Sequence, residues 1–237
     1  MIKERIVIAT IKSWNVKNGK KLKKLLFEKY NISILSKKNE LTFDTLNIIK
    51  PKYVFFPHWS WIIPEEIYKN FKCIVFHMTD LPYGRGGSPL QNLIINKKYN
   101  TKISAINVEK NVDSGDIYLK KDFCIKTGRA QQIFQRLSKT IFFKLIPYIL
   151  EHNPIPYKQK GETIPFKRRK PEQSNIQNAQ LNSLADFYDF IRMLDGEGYP
   201  KSFIKVGNFN ILFSKINKKQ NTLEGKFEII ETHEKPN

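Results

Sequence analysis

Two side chains in this chain of 237 residues could together move a proton. His77 closes a short apolar run, Cys73-Ile74-Val75-Phe76, and Asp113 lies in Val112-Asp113-Ser114-Gly115-Asp116 after a second apolar run. A carboxylate within reach of an imidazole raises its proton affinity and decides which ring nitrogen carries the proton. Such a histidine can accept a proton near neutral pH, so the pair reads as the centre of an acyl-transfer site. Each residue also has a plainer reading. A histidine after a buried strand often serves structure, and Asp-Ser-Gly-Asp is good turn chemistry on its own.

These two residues need strands to carry them to one edge. The apolar runs at 4–11, 32–35, 53–56, 73–76 and 103–108 read as strands, with amphipathic helical stretches at 15–30, 46–49 and 130–150 between or after them. That alternation predicts an α/β fold, an open, mostly parallel Rossmann-like sheet. In such sheets ligands sit beyond the carboxyl ends of the strands, where His58, His77 and Asp113 all fall. The loop Leu81-Pro82-Tyr83-Gly84-Arg85-Gly86-Gly87 leads to a helix, with Ser88 expected as its cap and Pro89 as its first residue. Past residue 157 the chain turns polar and irregular. A capped helix from Ser183, a hairpin over Gly207-Asn208 and a last strand at 226–231 then predict a small C-terminal β-rich module over 158–237, following a catalytic domain over 1–157.

The formal net charge of +19 suits a phosphate-bearing partner, although a chain rich in Lys, Asn and Ile also carries many lysines that only meet water. Two cysteines make no disulfide framework, and the apolar runs are too short for a membrane span, so a cytoplasmic protein with no membrane partner is expected. No Cys/His spacing suits a metal, and none is expected. The glycines around Arg85 would let backbone approach a ligand closely. Trp59 and Trp61 could stack on a flat ring or fill the core, and both readings stand.

The ordered set His77, Leu81-Pro82-Tyr83-Gly84-Arg85-Gly86, Pro89-Leu90-Gln91 and Asp113-Ser114-Gly115-Asp116 resembles the formyltransferases that use 10-formyltetrahydrofolate. Phe166-Lys167-Arg168-Arg169, the helix at 184–195 and Tyr199-Pro200-Lys201-Ser202-Phe203 look most like the members that formylate nucleotide-linked amino sugars. The resemblance implies that His77 takes part in the proton transfers, with Asp113 orienting it. It implies that folate is held by Trp61, Ile62, Ile63, Arg85, Gly87, Glu109, Lys110, Asn111, Val112 and Asp113. Trp14, Asn15, Gln91, Arg192 and the Arg168-Arg169 pair are candidates for the acceptor.

One departure stands out. The family usually places an asparagine two residues before the histidine, donating to the oxyanion, and here that position is Val75. Such a donor is commonly worth about 3 kcal/mol of barrier. Gln91, Asn92, His58 and a protonated His77 are the replacements open to this chain.

The expectation is therefore a sugar N-formyltransferase, with 10-formyltetrahydrofolate as co-substrate and a nucleotide-linked amino sugar, made for a surface glycan, as acceptor. No nucleic-acid partner is expected, on the ground that enzymes acting on methionyl-tRNA have a larger C-terminal module. The alternatives are a methionyl-tRNA formyltransferase-like enzyme, the same chemistry on glycinamide ribonucleotide or water, or a non-catalytic nucleotide-binding module. The C-terminal hairpin, with open edges, is a candidate homodimer contact.

Overall fold

A computed structural model of the chain describes residues 3–232. In chain order the elements are β1 (Glu4–Ala9), α1 (Ser13–Leu25), β2 (Tyr30–Leu35), α2 (Phe43–Ile49), β3 (Tyr53–Phe56), α3 (Glu65–Asn70), β4 (Cys73–His77), β5 (Tyr83–Gly86) and α4 (Pro89–Ile95). They continue as β6 (Asn100–Asn107), β7 (Ile117–Cys124), α5 (Ala130–Thr140), α6 (Ile146–His152), β8 (Ile164–Phe166), α7 (Leu184–Leu194), β9 (Ser202–Val206), β10 (Phe209–Lys218) and β11 (Leu223–Glu231). The chain divides into two compact units. Unit one takes the chain up to Arg85, Thr101–Phe123 and Gln135–Pro165, and unit two takes Gly86–Asn100, Cys124–Phe134 and Phe166 onward.

Unit one is built on a sheet in the order β2-β1-β3-β4-β6-β7. The first four strands run parallel, and β6 lies antiparallel to β4, with His77 opposite Ser104. The fold is α/β with a mostly parallel sheet, as expected. Ile6 to Ala9 and Tyr53 to Phe56 are buried throughout, which is why both strands read as unbroken apolar runs. Gly19 of α1 has Ile34 and Phe142 within 3.4 Å of where a Cβ would sit, so the helix lies close to its neighbours.

Three expectations change here. Helix α1 stops at Leu25, and β2 begins already at Tyr30. The helix expected over 130–150 is α5 and α6 joined by a π-helical turn, Ile141–Leu145. Pro147 sits in the first turn of α6 and has no N–H for the normal ladder, which suits a locally wider turn before it. Strand β7, Ile-Tyr-Leu-Lys-Lys-Asp-Phe-Cys, escaped the sequence reading because it lies at the sheet edge, where charged side chains reach water.

Unit two contains α4, α7 and the antiparallel sheet β11-β10-β9. Ser183 caps α7 as expected: its Oγ accepts the Asp186 N–H at 3.2 Å, and the Asp186 carboxylate accepts back from the Ser183 hydroxyl at 2.8 Å. Ser88 does not cap α4. It sits in the left-handed region (φ 50), and its Oγ accepts the Arg169 N–H at 3.0 Å instead. Gly207-Asn208 makes the hairpin between β9 and β10, with Gly207 at φ +55, where a side chain would be strained. No helix among the described residues is long and apolar enough to cross a membrane.

Candidate active site

Strand β4 carries His77 as its last residue, buried at 8% exposure. Its Nδ1 lies 3.3 Å from Asp113 Oδ2, and its Nε2 lies 2.8 Å from the Gly84 carbonyl oxygen. The two residues singled out by sequence are therefore in contact. Both ring nitrogens face acceptors. An imidazolium, with two N–H donors, satisfies both, whereas a neutral ring leaves one acceptor without its proton.

Asp113 is held in an uncommon backbone state, φ 56, and two devices keep it there. Gln159 donates through Nε2 to the Asp113 carbonyl at 2.9 Å and the Gly115 carbonyl at 2.8 Å. Arg85 in turn donates from Nε and a terminal nitrogen to Gln159 Oε1 at 3.1 and 2.8 Å. Gly115 is the second device: a Cβ there would stand 2.0 Å from the Asn107 carbonyl oxygen, so only glycine lets this turn close on the end of β6. Gln159 lies in a stretch that reads as a linker, with no motif around it. No local pattern could have found it, because its partners are 44 to 74 residues away.

The loop between His77 and Gly84 is pinned from β6 and β7. Lys102 and Lys120 both pair with Asp80, and Lys120 also donates to the Leu81 carbonyl. Partial burial pushes the Asp80 carboxyl up, but the two ammonium groups outweigh it and hold it below the usual carboxylate range. Ser104 donates to the Thr79 carbonyl at 2.8 Å. The peptide bond Leu81-Pro82 is cis.

The remaining candidates separate. Ile62 is 93% exposed, Trp61 is partly exposed, Glu109 to Val112 are exposed, and Ile63 belongs to the core. Trp59 packs into the core and meets the Trp61 ring edge-on at 4.8 Å between centroids. Asn15 is fully buried, donating to the Pro57 carbonyl and to His58 Nδ1 at 2.9 Å, and Trp14 meets His58 edge-on. Burial, with Lys12 adding to it, pushes His58 down to about 4.

Gly87, Gln91 and Arg192 belong to unit two. Gly87 is packed so tightly against Arg168 that a Cβ would meet its backbone at 2.7 Å. Gln91 is fully buried and donates to the Met193 carbonyl at 2.9 Å. Arg192 is 0% exposed. It donates to Asp189 at 2.6 Å and to the carbonyls of Ile125 and Gly128 at 3.0 and 2.8 Å, so sequence reasoning placed on a ligand surface a residue that structure keeps inside. Asn92 donates to the carbonyls of Gly87, Ser88 and Lys167. Val75 is half-buried and packs among Leu81, Ile106 and Ile117. Among the described residues, no group of three or more His, Cys, Asp or Glu side chains is placed to hold a metal ion.

Similarity to known proteins points to a family. A family model described as the methionyl-tRNA formyltransferase C-terminal domain matches residues 171–230. A solved structure described as a methionyl-tRNA formyltransferase from Clostridium thermocellum is 54% identical, overlaps 96% of this chain and 99% of that one, and superposes with a TM-score of 0.92. A curated methionyl-tRNA formyltransferase from Rickettsia canadensis is 24% identical over 147 residues, 60% of this chain and 48% of the relative. The chain thus spans about half the length of the curated relatives it matches. A sugar N-formyltransferase from a Shewanella species shares the fold at 17% identity and a TM-score of 0.69, over 86% of this chain and 93% of that one.

These findings overturn the expectation of a sugar N-formyltransferase. The argument from a short C-terminal module fails, because the Clostridium chain matches nearly end to end under the other name. At 54% identity over almost its whole length, the chain belongs to the formyltransferase family.

Proposed function

We propose that this chain transfers a formyl group from 10-formyltetrahydrofolate to the amino group of methionyl-tRNA. The observation that carries the chemistry is the contact of His77 Nδ1 with Asp113 at the end of β4. Family membership supports the donor, and the name of the 54% identical relative supports the acceptor. The net charge of +19 suits a polyanion such as tRNA.

The residues present fit a folate. Its rings are flat and apolar on their faces and amide-like at their edges. Ile62 and Val112 present apolar surface to solvent and Trp61 keeps part of its ring exposed, which suits the flat faces of the folate rings. The segment 109–112 is exposed and could meet the ring edges. When bound, the folate supplies an activated formyl group.

His77 and Asp113 manage the charge around that group. The acceptor amine must lose a proton, and the formyl oxygen gains negative charge as the amine attacks. As an imidazolium, His77 donates toward that oxygen, and the carboxylate of Asp113 stabilises the ring's positive charge. As a neutral ring, it takes up the amine proton as the new C–N bond forms, and it would return a proton to the folate nitrogen as the bond from that nitrogen to the formyl carbon breaks. For either step Nε2 must exchange the Gly84 carbonyl for the reacting group, so the present bond is a resting contact.

The donor missing at Val75 is supplied by His77 itself. Gln91 and Asn92 donate to backbone carbonyls within unit two, and His58, driven neutral by burial, is hydrogen-bonded to Asn15. His77 alone among the four sits against the carboxylate that would stabilise its charged form.

The test is formylation of methionyl-tRNA by the purified protein with 10-formyltetrahydrofolate, in the wild type and in His77→Asn. The expected result is formyl-methionyl-tRNA, with turnover lowered by roughly 10² to 10⁴-fold in the variant and the fold retained. Absence of formylated tRNA with the wild type overturns the acceptor. Wild-type turnover in His77→Asn overturns the role of the histidine.

A further inference from the structure

The antiparallel sheet of unit two ends in a strand with one open edge. Among the described residues, β11 pairs only with β10, and all its residues after Leu223 are exposed. It is nine residues long and carries Phe227 at 69% and Ile229 at 58% exposure. Native proteins seldom leave such an edge open, since its free N–H and C=O groups and apolar side chains recruit another strand. On the same face of the sheet, Phe227 and Ile229 lie opposite Phe213 and Ile211, and the pairing of Phe209 with Val206 continues the apolar surface.

The charges choose the occupant. In a chain of net charge +19, β11 carries Glu224, Glu228 and Glu231 against the single Lys226. A polyanion is repelled there. Another copy of the same strand, run antiparallel, can meet it without like charges in contact, but only in one full-length register. With Phe227 opposite itself, Lys226 faces Glu228 twice, Glu224 faces Ile230 and Glu231 faces Leu223. Sliding by one pair either way sets Lys226 against Lys226 or Glu228 against Glu228. Glu228 already accepts from Lys201 at 2.9 Å, yet its side chain is more than half exposed and has a second oxygen to offer.

We propose that two copies of this chain pair antiparallel along β11, Phe227 opposite Phe227 of the second copy and Lys226 opposite its Glu228. Two three-stranded sheets then become one continuous sheet about a two-fold axis. The edge groups gain partners, the aromatic pair is shielded, and the two ion pairs set the register.

Sedimentation velocity across the micromolar range tests this on the full chain. The wild type is expected to show a monomer–dimer equilibrium. Lys226→Glu and Glu228→Lys are each expected to weaken it by at least about tenfold, because each turns two cross-strand attractions into repulsions. An equimolar mixture of the two variants should regain wild-type association, since every cross-strand pair is then of opposite charge. Unchanged far-ultraviolet circular dichroism shows that the variants fold. A wild type that stays monomeric, a dimer that neither substitution weakens, or a mixture no tighter than its components would each overturn the proposal.

Discussion

Each unit hides one charged cluster, and the two are built for opposite ends. In unit two, Arg192 is fully buried between the rings of Tyr99 and Tyr188, with its guanidinium 6.0 and 5.4 Å from the ring centres. Asp189 and two backbone carbonyls accept hydrogen bonds from its N–H groups, and the Tyr99 hydroxyl donates to the other oxygen of Asp189. That hydroxyl is pushed up to about 12, first by burial and then by Asp189. A guanidinium cannot give up its proton in a protein, so the cluster has one state. In unit one, His77 has two acceptors and a ring that can hold one proton or two. Its carboxylate hangs on a left-handed turn, and its partner at Nε2 is the Gly84 carbonyl. A buried charge that is permanent must keep its partners, whereas one that can change leaves chemistry open.

The sharpest way to break this contrast is to remove the permanent charge. Arg192→Met keeps the length of the side chain but orphans Asp189 and two buried carbonyls. Breaking a buried ion pair from one side costs about 3–5 kcal/mol, so chemical denaturation should show a loss of that order. If stability is unchanged, the Arg192 cluster is not what holds unit two together.

A smaller effect is expected at Gln159, which touches no reacting atom and acts through Asp113. Gln159→Leu removes the clamp on the carbonyls of Asp113 and Gly115. We expect kcat to fall by roughly tenfold through misplacement of the carboxylate, with KM for methionyl-tRNA nearly unchanged. Gln159→Glu, which can still accept from Arg85 but cannot donate to the carbonyls, should not restore the rate. A loss in KM alone would make the residue a binding element instead. The pH profile of kcat should also shift in Gln159→Leu, since the charge partner of His77 has moved. A purely structural role would leave it in place.

The smallest effect concerns His58, a histidine in unit one that does not share the freedom of His77. Its folded value of about 4 lies below the ordinary value of 6.5, so between those pH values the unfolded chain binds more protons. Stability should therefore fall as pH drops from about 6.5 to about 4. His58→Asn, which tolerates the left-handed backbone at φ 55, should flatten that slope by an amount on the order of 1–3 kcal/mol over the window. An equal slope in the variant would show that His58 binds protons alike in the folded and unfolded chain.

The legible parts of this protein are those in which one local segment settles the outcome. The apolar runs of β1 and β3, the cap at Ser183 and the Gly207-Asn208 hairpin could all be read off because each is decided within a few residues. Ser88 shows the limit. It stands in good capping context, yet the Arg169 backbone, 81 residues away, claims its hydroxyl. The sugar-like reading fails for a related reason: the motifs around Tyr199 and Arg168 span a few residues and do not stand against similarity over the whole chain.

Sequence by itself determined that a histidine closes one strand of an α/β sheet and that an aspartate lies in a turn past another, because strand ends and turn residues are local properties. It also determined the charged, self-complementary pattern of β11. Only the tertiary structure decided that Nδ1 faces the carboxylate while Nε2 rests on a carbonyl, that Gln159 and Arg85 hold the aspartate's turn, and that Arg192 lies inside rather than at a surface. The reason is physical: hydrogen-bond partners that lie dozens of residues apart are chosen by how the elements pack, and packing has no signature in a single segment.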